Sequence, residues 1–274
     1  MRTLARIVSI LLLSATPVAG QSVPVQVGGR PTGMANASAS LKDNWALYNN
    51  PAGSARLTNA SLNFACENRP SLTGANRAAV AGVLPTRAGT FSSGAFKFGD
   101  KLYSEQLLSL GYSHSLGLAS LGIRVDYIQY RAEGYDPVVG LGITAGTIAD
   151  ITDKLSLGGY VSNVNRPLLP DGTPMPVRMA TGFACKPSEK VIVCGELEKD
   201  VGFTPTIKVG IEVTPFKKVY IRSGFNLYPG AAYAGFGFNS WRLSFDYSIA
   251  YSPSLAYTHQ AGLSFSRKKE AKKK

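Results

Sequence analysis

The sequence predicts an all-β protein, a transmembrane antiparallel β-barrel of about 14 strands with an N-terminal hatch or plug segment. Three observations lead there. Run after run alternates apolar and polar side chains, the composition is aromatic-rich and sparsely charged, and the chain starts with a secretory leader.

In the leader, Arg2 and Arg6 form a basic region, Ile7 to Leu13 an apolar core, and Val18-Ala19-Gly20 a small-residue cleavage site before Gln21. Residues 1–20 therefore read as a cleaved signal peptide, with a core too short to anchor. Charged residues are 17% of the chain, against roughly 25% in an ordinary soluble domain. Hydrophobic residues are 45%, which excludes disorder. No later stretch approaches the roughly 18 unbroken apolar residues of a membrane helix, so a helical membrane protein is excluded as well.

The net charge of +12 is mostly terminal. Arg2, Arg6 and the basic tail, residues 267–274, account for all but +5 of it. A nucleic-acid partner is therefore not expected, and the tail reads as a solvated periplasmic terminus. Two His and three Cys are little material for a metal centre, and neither metal nor cofactor is expected. Cys185 and Cys194 fall on opposite faces of a predicted hairpin, which argues against a disulfide between them.

The barrel is assigned to residues 58–266. Ile207, Val209, Ile211 and Val213 share one face of a run whose other face is Lys208, Gly210 and Glu212. Leu243, Phe245, Tyr247, Ile249 and Tyr251 oppose Arg242, Ser244, Asp246 and Ser248 in the same way, with Trp241 joining the apolar side. Aromatic residues at the ends of such runs suit the girdles of a membrane barrel, whose outside is apolar and whose lumen is polar. The 209 residues divide into about 15 per strand and connection, enough for a tilted span of about 9 to 11 residues plus a turn. Longer connections alternate with tight ones. An even strand count then places both termini on the short-turn, periplasmic side of a bacterial outer membrane.

Residues 21–57 break the strand pattern. Ser40 and Asp43 suggest a capping box, and Leu41, Trp45 and Tyr48 would share one face of a short helix. Pro51 would end that helix at Asn50. About fourteen strands enclose more space than their side chains fill, so this segment is the predicted hatch, with Trp45, Tyr48, Asn50, Pro51, Ala52 and Gly53 as its possible gate.

The run Ala46-Leu47-Tyr48-Asn49-Asn50-Pro51-Ala52-Gly53-Ser54-Ala55 resembles the Tyr-Trp-Asn-Pro-Ala-Gly-Leu-Ala hatch motif of the PorV/PorQ branch of the FadL-like outer-membrane barrels. Gly29-Arg30-Pro31-Thr32-Gly33-Met34 is similar to that family's lead-in, and Thr258-His259-Gln260 to its penultimate Thr-His-Arg. The chain departs from the pattern at Ala35-Asn36, where the family has Gly-Gly, and at Gln260, where it has Arg. The resemblance implies an accessory or scaffold barrel of type IX-like protein secretion or surface attachment, partnered by outer-membrane lipids and secretion-machinery proteins. The alternative it implies is a FadL-like channel for a hydrophobic ligand.

Arg124, Asp126, Glu196, Glu198, Lys208, Glu212, Arg222, Arg242 and Asp246 fall on inferred lumen faces and form a predicted charge network of both signs. A barrel lipase or deacylase is the distant third reading. His114 and His259 are flanked by hydroxyl residues, but strand neighbours point to opposite faces, so neither makes a Ser–His pair locally. The protein is accordingly expected not to be an enzyme.

Overall fold

A computed structural model describes residues 25–170, 172–201 and 203–267. The signal peptide and the tail beyond Arg267 lie outside the described residues. Fourteen strands follow one another: β1 (Ala60–Asn68), β2 (Arg77–Thr86), β3 (Gly89–Gly99), β4 (Tyr103–Leu116), β5 (Ala119–Ala132), β6 (Val138–Thr152), β7 (Leu155–Ser162), β8 (Arg178–Ser188), β9 (Val191–Asp200), β10 (Thr206–Phe216), β11 (Val219–Asn226), β12 (Ala231–Asn239), β13 (Leu243–Ser252) and β14 (Ala256–Arg267). Each pairs antiparallel with its neighbours in sequence, and β1 pairs with β14, so the sheet closes and has no free edge.

The alternation read from the sequence is the alternation of the wall. Along β10, Lys208, Gly210 and Glu212 point inward and are buried, while Ile207, Val209 and Ile211 face outward. Connections at one end are two or three residues long, and those at the other end reach the fifteen residues 163–177. The registers shift at three places, in β6–β7, β8–β9 and β10–β11, all beside short turns.

Residues 25–57 pack against inward-facing side chains and are almost wholly buried. Their conformation differs from the sequence expectation. Among the described residues the one α-helical stretch is α1 (Gly29–Gly33), and residues 43–49 form turns rather than a capped helix. Ser40 does not cap anything there, because its hydroxyl donates to Gly182 O (2.8 Å). Asp43 instead accepts from Trp45 N (2.9 Å) in a local turn. Leu41 packs with Met34 and Cys194, whereas Trp45 and Tyr48 join a separate cluster, so the three do not share a face. Pro51 opens a 3-10 helix (Pro51–Ser54) instead of ending an α-helix, with Asn50 as its N-cap. Contact with the surrounding wall outweighs the weak helical pattern.

Candidate functional site

The lumen is shaped where wall glycines meet the N-terminal segment. Gly94, Gly111, Gly122, Gly146, Gly158, Gly210 and Gly224 all face inward on their strands. A Cβ on Gly122 would strike the Ala52 backbone, one on Gly158 the Ala39 carbonyl, and one on Gly146 the Asn50 amide oxygen. Across the lumen, Gly210 and Gly224 leave room for Met34 and Ala35. Strand glycine is unfavourable on its own, and close backbone approach is the usual compensation. In-strand glycine on the polar face marks where the wall leaves room for the segment, which strand periodicity alone does not reveal.

Asn50 is fully buried and uses its whole amide. Oδ1 accepts from Ala52 N (3.1 Å), while Nδ2 faces the carbonyls of Ala39, Thr147 (3.1 Å) and Gly159 (3.3 Å). It therefore fastens the 3-10 turn to β6 and β7. Gly53 lies against the Leu41 carbonyl, where no Cβ fits. Tyr48 donates to Val80 O (3.1 Å) and lies beside Phe96 and the Arg124 guanidinium. Trp45 closes over Gly28. Ala35 and Asn36 have φ of 57° and 55°, a left-handed pair at the two positions where the resembled motif has glycines. Gln260, where that motif has Arg, is buried, donates to Glu67 Oε2 (3.3 Å) and accepts from Thr32.

Eight of the nine charged residues singled out from the sequence meet inside the barrel. Lys208 Nζ bonds Glu196 (3.1 Å) and Glu198 (2.8 Å), and Glu196 also accepts from the backbone N–H groups of Ser38 (2.8 Å) and Ala39 (2.7 Å). Arg222 bridges Glu212 and Asp246, both at 2.6 Å. Arg124 pairs with Asp126 two residues along the same strand (2.9 Å) and donates to Leu47 O (2.7 Å). Arg242 is the exception. The chain leaves the sheet at Ser240 and β13 starts at Leu243, so Arg242 lies in the turn, exposed, with its guanidinium 4.4 Å from the Trp241 ring centroid.

The network is larger than the sequence reading. Arg30 adds a cation from the segment itself, bonding Glu212 (2.9 Å) and Asp43 (3.4 Å). Burial pushes the Asp43 carboxyl above its ordinary range, against the pull of Arg30. Lys42 and Arg56 both reach Asp150, and Arg77 pairs with Glu67 (3.0 Å). Arg77 was hidden because β2 shows no polar face: Ala79, Ala81 and Val83 share its side of the strand.

At the long-connection end the inner surface turns apolar. Phe96, Leu107 and Ile128 from the wall, Val27, Trp45 and Tyr48 from the segment, and Leu169 and Met175 from residues 163–177 form one buried cluster. Beside it lies a cavity of about 50 Å³ bordered by Tyr48, Leu107, Ile128, Met175, Arg124 and Arg178.

His259 faces outward, its Nδ1 2.7 Å from Tyr247 Oη, and His114 stacks on Tyr112. Cys66, Cys185 and Cys194 are free thiols. His259→Gln should lower stability by about 1 kcal/mol, the ordinary value of one exchanged hydrogen bond. Phospholipid deacylation by the purified barrel that this substitution abolished would revive the hydrolase reading.

A closed antiparallel barrel of fourteen strands is the fold of the FadL-type outer-membrane barrels. Among solved structures, the chain is similar to the P. putida toluene transporter TodX, with a TM-score of 0.67 and 12% identity over 91% of this chain and 100% of that one. The Ralstonia pickettii toluene transporter TbuX gives 0.68 and 9% over 90% and 99%. A deltaS2 mutant of the TodX monoaromatic hydrocarbon channel gives 0.69 and 13% over 91% and 100%. At such identities the likeness is one of fold, and none of these structures carries a PorV or PorQ name. No family profile and no curated protein sequence matches the chain.

Proposed function

We propose that this barrel is a channel for hydrophobic small molecules, held closed here by its N-terminal segment. The observation that carries the reading is the apolar cluster inside the lumen, with Leu107 and Ile128 from the wall facing Leu169 and Met175. Small-molecule sites are apolar with a few fixed polar groups, and this cluster gives the long-connection end of the lumen that character. Arg124, Tyr160 and Arg178 supply those groups at the cavity edge. The similar solved structures include toluene transporters, which supports the same ligand class. The protein-secretion and surface-attachment reading rests on the sequence resemblance alone, and the similar structures lend it no support.

A cavity of about 50 Å³ holds a water but not an aromatic ring, since benzene occupies an engineered cavity of roughly 150 Å³. Uptake therefore requires Met175 and Leu169, or the segment around Tyr48, to move aside. Radiolabelled toluene should bind the detergent-solubilised protein saturably. Leu107→Gln should weaken binding by about 10- to 100-fold, the equivalent of losing one buried leucine contact. Toluene binding that is absent, or indifferent to that substitution, would overturn the channel reading.

A further inference from the structure

We propose that the outer wall over β1–β5 carries a site for one anionic phospholipid, its headgroup held by Lys97. The site is separate from the lumen and independent of the channel reading. Its floor is made by small outward side chains, Ala78 and Val80 on β2 and Ala95 on β3, and its flanks by Phe64, Leu108 and Tyr127. The resulting groove encloses about 710 Å³, within the range of sites that bury a drug-sized ligand. The β1–β2, β2–β3 and β3–β4 registers run without a shift, so the groove is a depression on a closed wall and not a gap between strands.

One end of the groove is polar. Lys97, Gln106 and Gln129 are register partners on three adjacent strands and stand in a row on the membrane-facing side. Among the described residues Lys97 has no acidic partner within 4.0 Å and Gln106 no hydrogen-bond partner, while Gln129 accepts from Arg131 (3.1 Å). A cation on the lipid face of a barrel wall is destabilising unless it reaches the interface or finds a counter-charge. Lys97 is two residues from the end of β3, roughly 5 Å below it along a tilted strand, which is headgroup depth. A cation and two amides at headgroup depth, continuous with an apolar trough toward mid-membrane, match an anionic head and an acyl chain in both polarity and order. A lysine stem at this position can lie along the apolar floor while its ammonium stays at the polar end.

The test is retention of lipid by the intact barrel in native mass spectrometry, from micelles doped equally with phosphatidylglycerol and phosphatidylcholine. The wild-type barrel should retain one phosphatidylglycerol in about 10-fold preference. Lys97→Gln should abolish the preference, and Lys101→Gln, in the neighbouring loop, should keep it. Ala95→Leu fills the floor without touching the charge and should lower retention of both lipids, which keeps the proposal testable if the lysine variant folds poorly. Equal retention of the two lipids by the wild type, or undiminished preference in Lys97→Gln, or undiminished retention in Ala95→Leu, would each overturn it.

Discussion

Gly210→Lys is expected to drive the N-terminal segment from the lumen while leaving the barrel in the membrane, whereas Val209→Lys next to it should weaken the barrel itself. Val209 is 42% exposed on the outer face near the middle of β10, where a lysine in a barrel wall costs about 2–4 kcal/mol. Gly210 points the other way. A Cβ there would come within 2.5 Å of Met34 Cβ and 2.6 Å of its carbonyl oxygen, and the paired Gly224 offers no relief because its own Cβ position is 2.7 Å from Ala35 N. Around Gly210, over residues 208–213, the wall is tied by unbroken ladders on both sides of β10 and does not yield. The segment can, since at this point its backbone already holds Ala35 and Asn36 in a left-handed conformation that costs roughly 1–2 kcal/mol per residue. Protease sensitivity within residues 25–57 should therefore rise in Gly210→Lys and stay low in Val209→Lys. Denaturant midpoints of the barrel should fall most in Val209→Lys. Similar behaviour of the two variants would mean that the inside and outside of β10 have been assigned wrongly.

What the sequence discloses follows from which interactions are local. Most strands of the barrel were visible because lipid outside and polar groups inside impose a two-residue period on the span, and that period survives without knowledge of its neighbours; β2, with Ala79, Ala81 and Val83 on its inner face, lacks it. The partners Lys208, Glu196 and Glu198 were legible as lumen charges for the same reason. The path of residues 25–57 was not legible, because non-local contacts set it: Glu196 binding two backbone N–H groups, Asn50 bridging to carbonyls of β6 and β7, and glycines on seven strands making room. The capping-box pattern at Ser40 and Asp43 is a local signal overridden by such contacts. Arg242 failed differently. Its place in the alternation was right, but the strand starts one residue later, and a turn residue has no assigned face.

Removing residues 25–57 is expected to leave a folded barrel with a several-fold higher conductance that favours cations. The fold should survive because the wall's ion pairs do not depend on the segment. Without Arg30, Glu212 keeps Arg222 at 2.6 Å, and without the N–H groups of Ser38 and Ala39, Glu196 keeps Lys208 at 3.1 Å. Groups that lose a partner meet water in an opened lumen, so they escape the penalty of about 3–5 kcal/mol that an orphaned buried charge incurs. Conductance should rise because fourteen strands enclose more space than their inner side chains occupy, and at the glycine positions there is no side chain at all. Selectivity follows from the charges left behind. Carboxylates outnumber cations among the inward-facing strand residues, with Glu67, Glu105, Asp126, Asp150, Glu196, Glu198, Asp200, Glu212 and Asp246 against Arg77, Arg124, Arg178, Lys186, Lys208 and Arg222. The segment supplies Arg30, Lys42 and Arg56 against Asp43, so its loss strips positive charge from a lumen that is then left negative. In planar bilayers the truncated barrel should show a reversal potential displaced toward that of potassium under a potassium chloride gradient. The displacement should shrink at high salt, as screening shortens the reach of the carboxylates. A truncated barrel that inserts but conducts no better than the full chain would show that wall side chains alone fill the lumen, and anion preference would show that the inner charges are arranged otherwise than described.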